Sequence, residues 1–363
     1  MLKVGMEVQL RKADLKRALK VLKELRAKMA KIEAGEDGDL LVRAWGVKDN
    51  YVALSAPAYV GGVGSAVVDV KMFENAVNSA GKDISLLVNN DEVRVYSINE
   101  RREFVIPQQH WFEFPELSPV FTVRTDGKVL KTAILKTYFA MSKEDDTSLS
   151  GLYIAKREDK VHFVATDGYR LSFVWDSMEW EHEVLISRWG ILGLRRFLEN
   201  AEYDEVDVGV GGGYIYMKFG SNIFGLKLMD FQFPDYMAVM PTSYLYKFEV
   251  NRKELLDALK ALVRGRKDKV PVKFKFTWDD TLELITEDKR EYAYLKALGH
   301  GYEFAVWLNA QLLVDALEAF DCRRLAFLLT AKDGVVKVVD ADNVYADNEE
   351  RMIYLIMPMN IEE

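Results

Sequence analysis

Three stretches of the chain carry the same arrangement of apolar and polar positions. VKMFENAVNSA (70–80), SRWGILGLRRFL (187–198) and NAQLLVDALEAF (309–320) each space apolar residues for one face of a helix. Phe73, Ala76 and Ala80 correspond to Ile191, Leu194 and Leu198 and to Leu313, Ala316 and Phe320, at offsets of 118 and 122 residues. An alternating strand follows each helix, marked by Ile84, Leu86 and Val88, by Val206, Val208 and Val210, and by Leu325, Phe327 and Leu329. A turn and a second strand come next. The other half of the unit also recurs. A strand runs into a helix at MEVQLRKADLKRAL (6–19), FTVRTDGKVLKTAI (121–134) and FEVNRKELLDAL (248–259), with Asp14 and Asn251 as candidate caps and Gly127 weakening the middle helix. AKMAKIEAGEDG (27–38) reads as a longer first helix running into an acidic turn.

A period of about 120 residues with two helices and several strands per copy predicts an α+β chain of three repeated domains, 1–118, 119–243 and 244–363. Each would lay two helices on one face of curved antiparallel sheet, and the three would form an arc. An arc leaves exposed sheet edges, and two arcs joined head to tail by a closing rotation remove them.

Charge sharpens this picture. The net charge is −8, yet residues 11–31 hold nine Lys or Arg against Asp14 and Glu24. Such a helix is either a solvated amphipathic surface or the face that meets a polyanion on an acidic body. No apolar run suits a membrane span or a signal-peptide core, and with a single cysteine, Cys322, no internal disulfide can form. These features predict a cytoplasmic protein with Cys322 as a buried structural thiol. His110, His162, His182 and His300 lack metal-ligand spacing and read as surface or turn residues. The glycines at 211–213 join two strands and precede no helix, so they do not form a phosphate loop.

The hairpin ATDGYRL (165–171), the segment FPDY (233–236) with Val239, Met240 and Pro241, and YLIMPM (354–359) together resemble the bacterial DNA polymerase III beta subunit, the sliding clamp. The resemblance covers the whole chain in order and spacing. It implies a homodimeric ring of six similar domains around duplex DNA, bound without regard to sequence. It also implies no catalytic activity and no cofactor. The partners it implies are the DNA polymerase III alpha subunit, the clamp loader and other proteins carrying a clamp-binding motif.

Carried over residue by residue, the resemblance implies a partner-peptide pocket. Leu149, Thr166, Gly168, Tyr169, Arg170 and Leu171 would line one side, with Pro234, Val239, Asn309 and Val335 beside them. Leu355, Ile356, Met357, Pro358 and Met359 would close it. Gly168 suits a turn with positive φ, Arg170 would hydrogen-bond the peptide at the rim, and the methionines adapt to several ligands. Burying two or three anchors at ~25 cal/mol per Å2 leaves weak, exchangeable binding after ordering costs. Ala238 and Asn360 stand where the family often has arginine, and the chain continues to Glu362 and Glu363. The DNA-facing candidates are Lys16, Lys20, Lys23, Lys28 and Lys31 on the first helix, with Lys71, Lys131, Arg188, Arg195 and Arg196. Phe104 and Ile106 would meet Leu262 and Val263 across the dimer interface. Two rival readings are a clamp-like scaffold that does not encircle DNA and a metal-dependent nucleic-acid hydrolase.

Overall fold

The computed structural model describes residues 5–35, 38–110, 112, 114, 117–266, 269–299, 303–331, 334–344 and 351–361. His300, Glu362 and Glu363 lie outside them. The chain is α+β, and its strands pair antiparallel throughout the described sheets. Six helices carry the repeated pattern: α1 (Lys12–Glu24), α2 (Val70–Ser79), α3 (Gly127–Thr137), α4 (Arg188–Leu198), α5 (Arg252–Val263) and α6 (Ala310–Ala319). Chain contacts divide it into two compact units, Met1–Lys131 with Met178–Asp230, and Thr132–Ser177 with Phe231–Glu363. The middle repeat is thus shared between them.

The first unit holds a five-stranded sheet in the order Tyr59–Gly62, Met6–Arg11, Asp83–Val88, Glu92–Ser97 and Glu103–Pro107. Its eight-stranded sheet runs from Val123–Asp126 to Gly64–Asp69. In that sheet Asn222–Lys227 pairs with Tyr51–Pro57 in the register Ile223↔Ala53, so one sheet joins strands from two repeats. This continuity explains why the compact units cut across the repeat. Phe197, Phe219 and Phe224 form an aromatic cluster beneath α4, with ring centroids 5.1–6.0 Å apart.

Capping follows the sequence at α5, where Asn251 Oδ1 accepts from Glu254 N at 3.1 Å. Asp14 is not a cap. The helix begins after Arg11, and Asp14 lies buried inside its first turn, accepting from Arg11 Nε at 2.8 Å. The expected longer first helix is also corrected. Residues Met29–Ala34 form a strand whose Ala30, Ile32 and Ala34 point into the core, a period of two that the helix-favouring Ala, Lys and Glu content had masked. Gly127 opens α3 because a Cβ there would overlap the Tyr203 carbonyl. It is a close-approach glycine, not a defect of the helix.

In the second unit the strand Arg170–Asp176 pairs on one side with Lys160–Thr166 and on the other with Met352–Ile356, in the register Arg170↔Ile356. Val336–Asp340 follows Met352–Ile356, and Arg324–Leu329 comes next. Elsewhere in the unit Phe248 stacks on Phe276 at 3.8 Å. No helix among the described residues is long and apolar enough to cross a membrane.

Candidate peptide-binding cleft

The hairpin 165–171 is held by its own side chains. Asp167 Oδ1 accepts from the backbone N–H groups of Tyr169 and Arg170, each at 3.0 Å. Thr166 Oγ1 donates to the Arg170 carbonyl at 2.6 Å and accepts from Gly168 N at 3.1 Å. Gly168 sits at φ +87°, where a β-carbon would be strained. Locking the turn this way projects Tyr169 into solvent, 71% exposed.

Beside the hairpin lies a cleft of about 510 Å3. It is lined by Leu149, Thr166, Gly168, Tyr169, Arg170, Leu171, Pro234, Val239, Val335, Leu355 and Met357, all expected from the sequence, and by Phe233, Asp235 and Tyr236, which were not. Met357 N donates to the Tyr169 carbonyl at 2.9 Å, tying the tail to the hairpin. Val239 and Met357 are about half exposed and Leu171 is buried, so the wall grades from open rim to apolar floor.

Four expected residues are not in the lining. Ile356 is fully buried, because it alternates with Leu355 and Met357 and faces the opposite side of its strand. Asn309 caps α6, accepting from Gln311 N at 3.1 Å and from Val270 N at 3.2 Å. Pro358 and Met359 have moved past the wall, and Met359 N donates to the Trp307 carbonyl at 2.8 Å. Phe233 and Tyr236 belong to FPDY, whose aromatic residues were legible as a motif. Phe233 stacks on Tyr153 at 4.8 Å and 5°, and Tyr236 packs against Phe173 and His162.

Arg170 differs from its expected role at the rim. It is 5% exposed, and its guanidinium donates to Asp167 Oδ2 at 3.1 Å, Asp315 Oδ2 at 2.7 Å and the Phe139 carbonyl at 2.6 Å. Burial works against its charge, but the surrounding Tyr354, Asp315 and Asp167 outweigh it and hold the pKa above the ordinary arginine value. Arg170 thus contributes to the lining while its guanidinium is held by Asp167, Asp315 and the Phe139 carbonyl. Tyr354 beside it donates to the Leu312 carbonyl at 2.8 Å, and burial raises its phenol pKa.

His162 is not a surface or turn residue. It lies half-buried in the strand Lys160–Thr166, with Nδ1 2.6 Å from the Tyr236 hydroxyl, and burial lowers its pKa, helped by Arg157 and Lys160. Cys322 is half-buried, and burial with nearby Asp340 pushes its thiol up to about 12, far from a reactive thiolate.

Of the DNA-facing candidates, Lys16, Lys20 and Lys23 share one face of α1. Lys16 and Lys20 have no ion-pair partner among the described residues, whereas Lys23 lies 3.6 Å from Glu74. Lys16 and Lys20, with Arg17 and Arg196, rim a second cleft of about 340 Å3 in the first unit, whose wall includes Phe197 and Tyr203. Arg17 was not among the sequence candidates; it lies 3.8 Å from Asp14. Lys28 and Lys31 are not on the helix. Lys28 stands in the turn after it, and Lys31 lies on the strand Met29–Ala34, 2.8 Å from Glu33. Lys71 is exposed on α2. Lys131 donates to the Ala201 carbonyl at 2.9 Å, Arg195 and Arg196 both pair with Glu199 at 2.9 Å, and Arg188 lies over Trp189. Phe104 is half-buried and Ile106 is buried on the edge strand Glu103–Pro107, while Leu262 and Val263 are buried at the end of α5. The exposed apolar side chain on that edge strand is Val105.

The chain thus combines antiparallel sheets and paired helices with an apolar cleft at a Thr-Asp-Gly hairpin. The fold is that of the bacterial DNA polymerase III beta subunits. It superposes on the Thermotoga maritima beta subunit with a TM-score of 0.80 at 20% identity, covering 99% of this chain and 100% of that one. It superposes on the Bartonella birtlesii DnaN sliding clamp bound to griselimycin with a TM-score of 0.81 at 23% identity, covering 98% and 100%. Residues 124–235 match the family described as DNA polymerase III beta subunit, central domain. The beta sliding clamp of Haemophilus influenzae is 26% identical over 314 residues, 82% of each chain. In sequence and in fold, this chain resembles the beta sliding clamp.

Proposed function

We propose that this chain works as a DNA sliding clamp. It is a non-enzymatic scaffold that keeps the replicative polymerase on its template by holding a short apolar segment of each partner in the cleft beside Tyr169. The observation that carries this reading is that the hairpin, the FPDY segment and the 352–357 strand converge on one apolar cleft within a fold shared with beta subunits over nearly the full chain. In this reading the repeats 1–118, 119–243 and 244–363 are three clamp domains forming half a ring, and two chains close around duplex DNA in the cytoplasm.

The lysines Lys16 and Lys20 suit that role. An encircling protein needs loose, sequence-independent attraction to phosphates, and cations without an ion-pair partner, Lys20 exposed and Lys16 partly so, supply it without anchoring. Cations held by single surface carboxylates, such as Arg196 by Glu199, exchange to phosphate at little cost. Closure would use the edge strand carrying Phe104 and Ile106 and the end of α5 carrying Leu262 and Val263.

The test is topological. The protein is loaded by its clamp loader onto nicked circular DNA, which is then linearised. Retention on the circle with loss after cutting is the expected result; equal retention on both forms would leave only a scaffold that binds partners without encircling DNA.

A further inference from the structure

We infer that the cleft between helices α1 and α4 in the first unit binds a free nucleoside monophosphate. It shares no lining residue with the peptide cleft, and the inference stands apart from the tether reading. The helix pair meets at Leu25, just past the end of α1, where a β-carbon on Gly193 would lie 2.5 Å from Leu25 Cδ2. Glycine permits that approach. At the other end of the pair, the first half of α1 and the end of α4 wall a cleft of about 340 Å3. Leu54, Ser55 and Pro57 of the strand Tyr51–Pro57 help to complete it. Ligand pockets span roughly 300–1,000 Å3, so this one suits a single small molecule.

Several donors in its lining are uncommitted. Lys16 and Lys20 make no ion pair, and the Asn200 side chain no hydrogen bond, among the described residues. Tyr203 Oη accepts from Asn222 Nδ2 at 3.2 Å, and its own proton has no acceptor among the described residues. Burial raises the phenol pKa, so the hydroxyl keeps that proton at neutral pH. The groups that would oppose an anion are already met. Asp14 accepts from Arg11 Nε at 2.8 Å and lies 3.8 Å from Arg17, and the Ala201 carbonyl accepts from Lys131 Nζ at 2.9 Å. Arg196 is balanced by Glu199. Two unpaired lysines match a phosphate monoester, which carries about −1.5 to −2 charge at pH 7, better than a singly charged phosphodiester. The lining also holds Val21, Leu54, Phe197 and Tyr203, and the last two rings stack at 5.6 Å and 17°. Aromatic surface of this kind suits a base of any identity, which gives the nucleotide an advantage over bare phosphate.

The experiment is calorimetric titration of the full chain at about 50 mM salt with four probes: adenosine monophosphate, its phosphate methyl ester, adenosine and inorganic phosphate. The monophosphate is expected to bind roughly tenfold tighter than adenosine or phosphate and about threefold tighter than its methyl ester. The double variant Lys16→Gln, Lys20→Gln should weaken it roughly tenfold while keeping the thermal midpoint, and Tyr203→Phe about threefold. Asn200→Trp keeps every charge, occupies the cleft and should abolish binding. No binding of the nucleotide, phosphate binding as tightly as the nucleotide, or nucleotide affinity unchanged in the lysine variant or in Asn200→Trp would overturn the site. A methyl ester that binds as tightly as the monoester would overturn the free nucleotide and leave a phosphodiester of nucleic acid as the occupant. Loading onto circular DNA tests the clamp reading by itself, so either can fail alone.

Discussion

Arg170 Nη1 donates to Asp315 Oδ2 at 2.7 Å across 145 residues of sequence. The bond ties the hairpin 165–171 to helix α6, and Arg170 also holds Asp167 and the Phe139 carbonyl beside the cleft.

Removing the guanidinium should therefore damage stability and binding together. Arg170→Met leaves Asp167 and Asp315 facing each other near a buried carbonyl and is expected to cost about 3 kcal/mol. Asp315→Asn keeps a neutral acceptor and should cost about 1 kcal/mol. Urea unfolding measures both; midpoints indistinguishable from the parent chain would show that the network contributes nothing.

The tail divides into a structural and a binding part. Leu355 and Ile356 are buried in the sheet, so a truncation that removes them should unfold the second unit. A chain ending at Ile356 keeps the strand and loses Met357. Its thermal midpoint should stay within a few degrees of the parent while affinity for an apolar peptide falls roughly tenfold, the loss of one partly buried side chain. Unchanged affinity would remove Met357 from the site.

His162 makes the cleft region sensitive to acid. Its folded pKa lies below the ordinary 6.5, so near neutral pH the neutral ring holds Tyr236 and both states are largely uncharged there. As pH falls below 6.5 the unfolded chain takes up a proton that the folded chain resists, and stability declines until the folded pKa is passed. Replacing His162 with Gln should flatten this part of the stability–pH curve. An unaltered slope between about pH 6.5 and 5 would show that other groups cause it.

Gly127→Ala tests the close approach at the start of α3. Helix propensity alone favours alanine by about 1 kcal/mol. The added methyl meets the Tyr203 carbonyl, so the net effect is expected to be a destabilisation of about 1–3 kcal/mol. A rise in thermal midpoint would refute the contact.

Much of this architecture is legible in the sequence because repetition multiplies a weak signal. One amphipathic stretch such as 70–80 could belong to many folds, but three at near-equal spacing, each followed by an alternating strand, constrain the topology. The cleft residues were readable where they belong to short motifs, as at Thr166, Gly168 and Leu171. What stayed hidden depends on long-range geometry. Met29–Ala34 alternates clearly only once its partner strand is known, since Ala, Lys and Glu favour helix locally. Arg170 looked like a rim group because its partner Asp315 is far away in the chain. Asn309 was read as a pocket residue when its amide was needed to cap α6. His162 and Tyr236, 74 positions apart, share a hydrogen bond that no local pattern announces.

The register Arg170↔Ile356 has a consequence for synthesis. One wall of the cleft is translated halfway through the chain, and the wall beside it is completed only when residues 352–357 emerge. Until then the strand Arg170–Asp176 has one unpaired edge. Under the proposed function, a partner segment would be held only once residues 352–357 have joined the hairpin, so docking would report on the folding of this late-made strand.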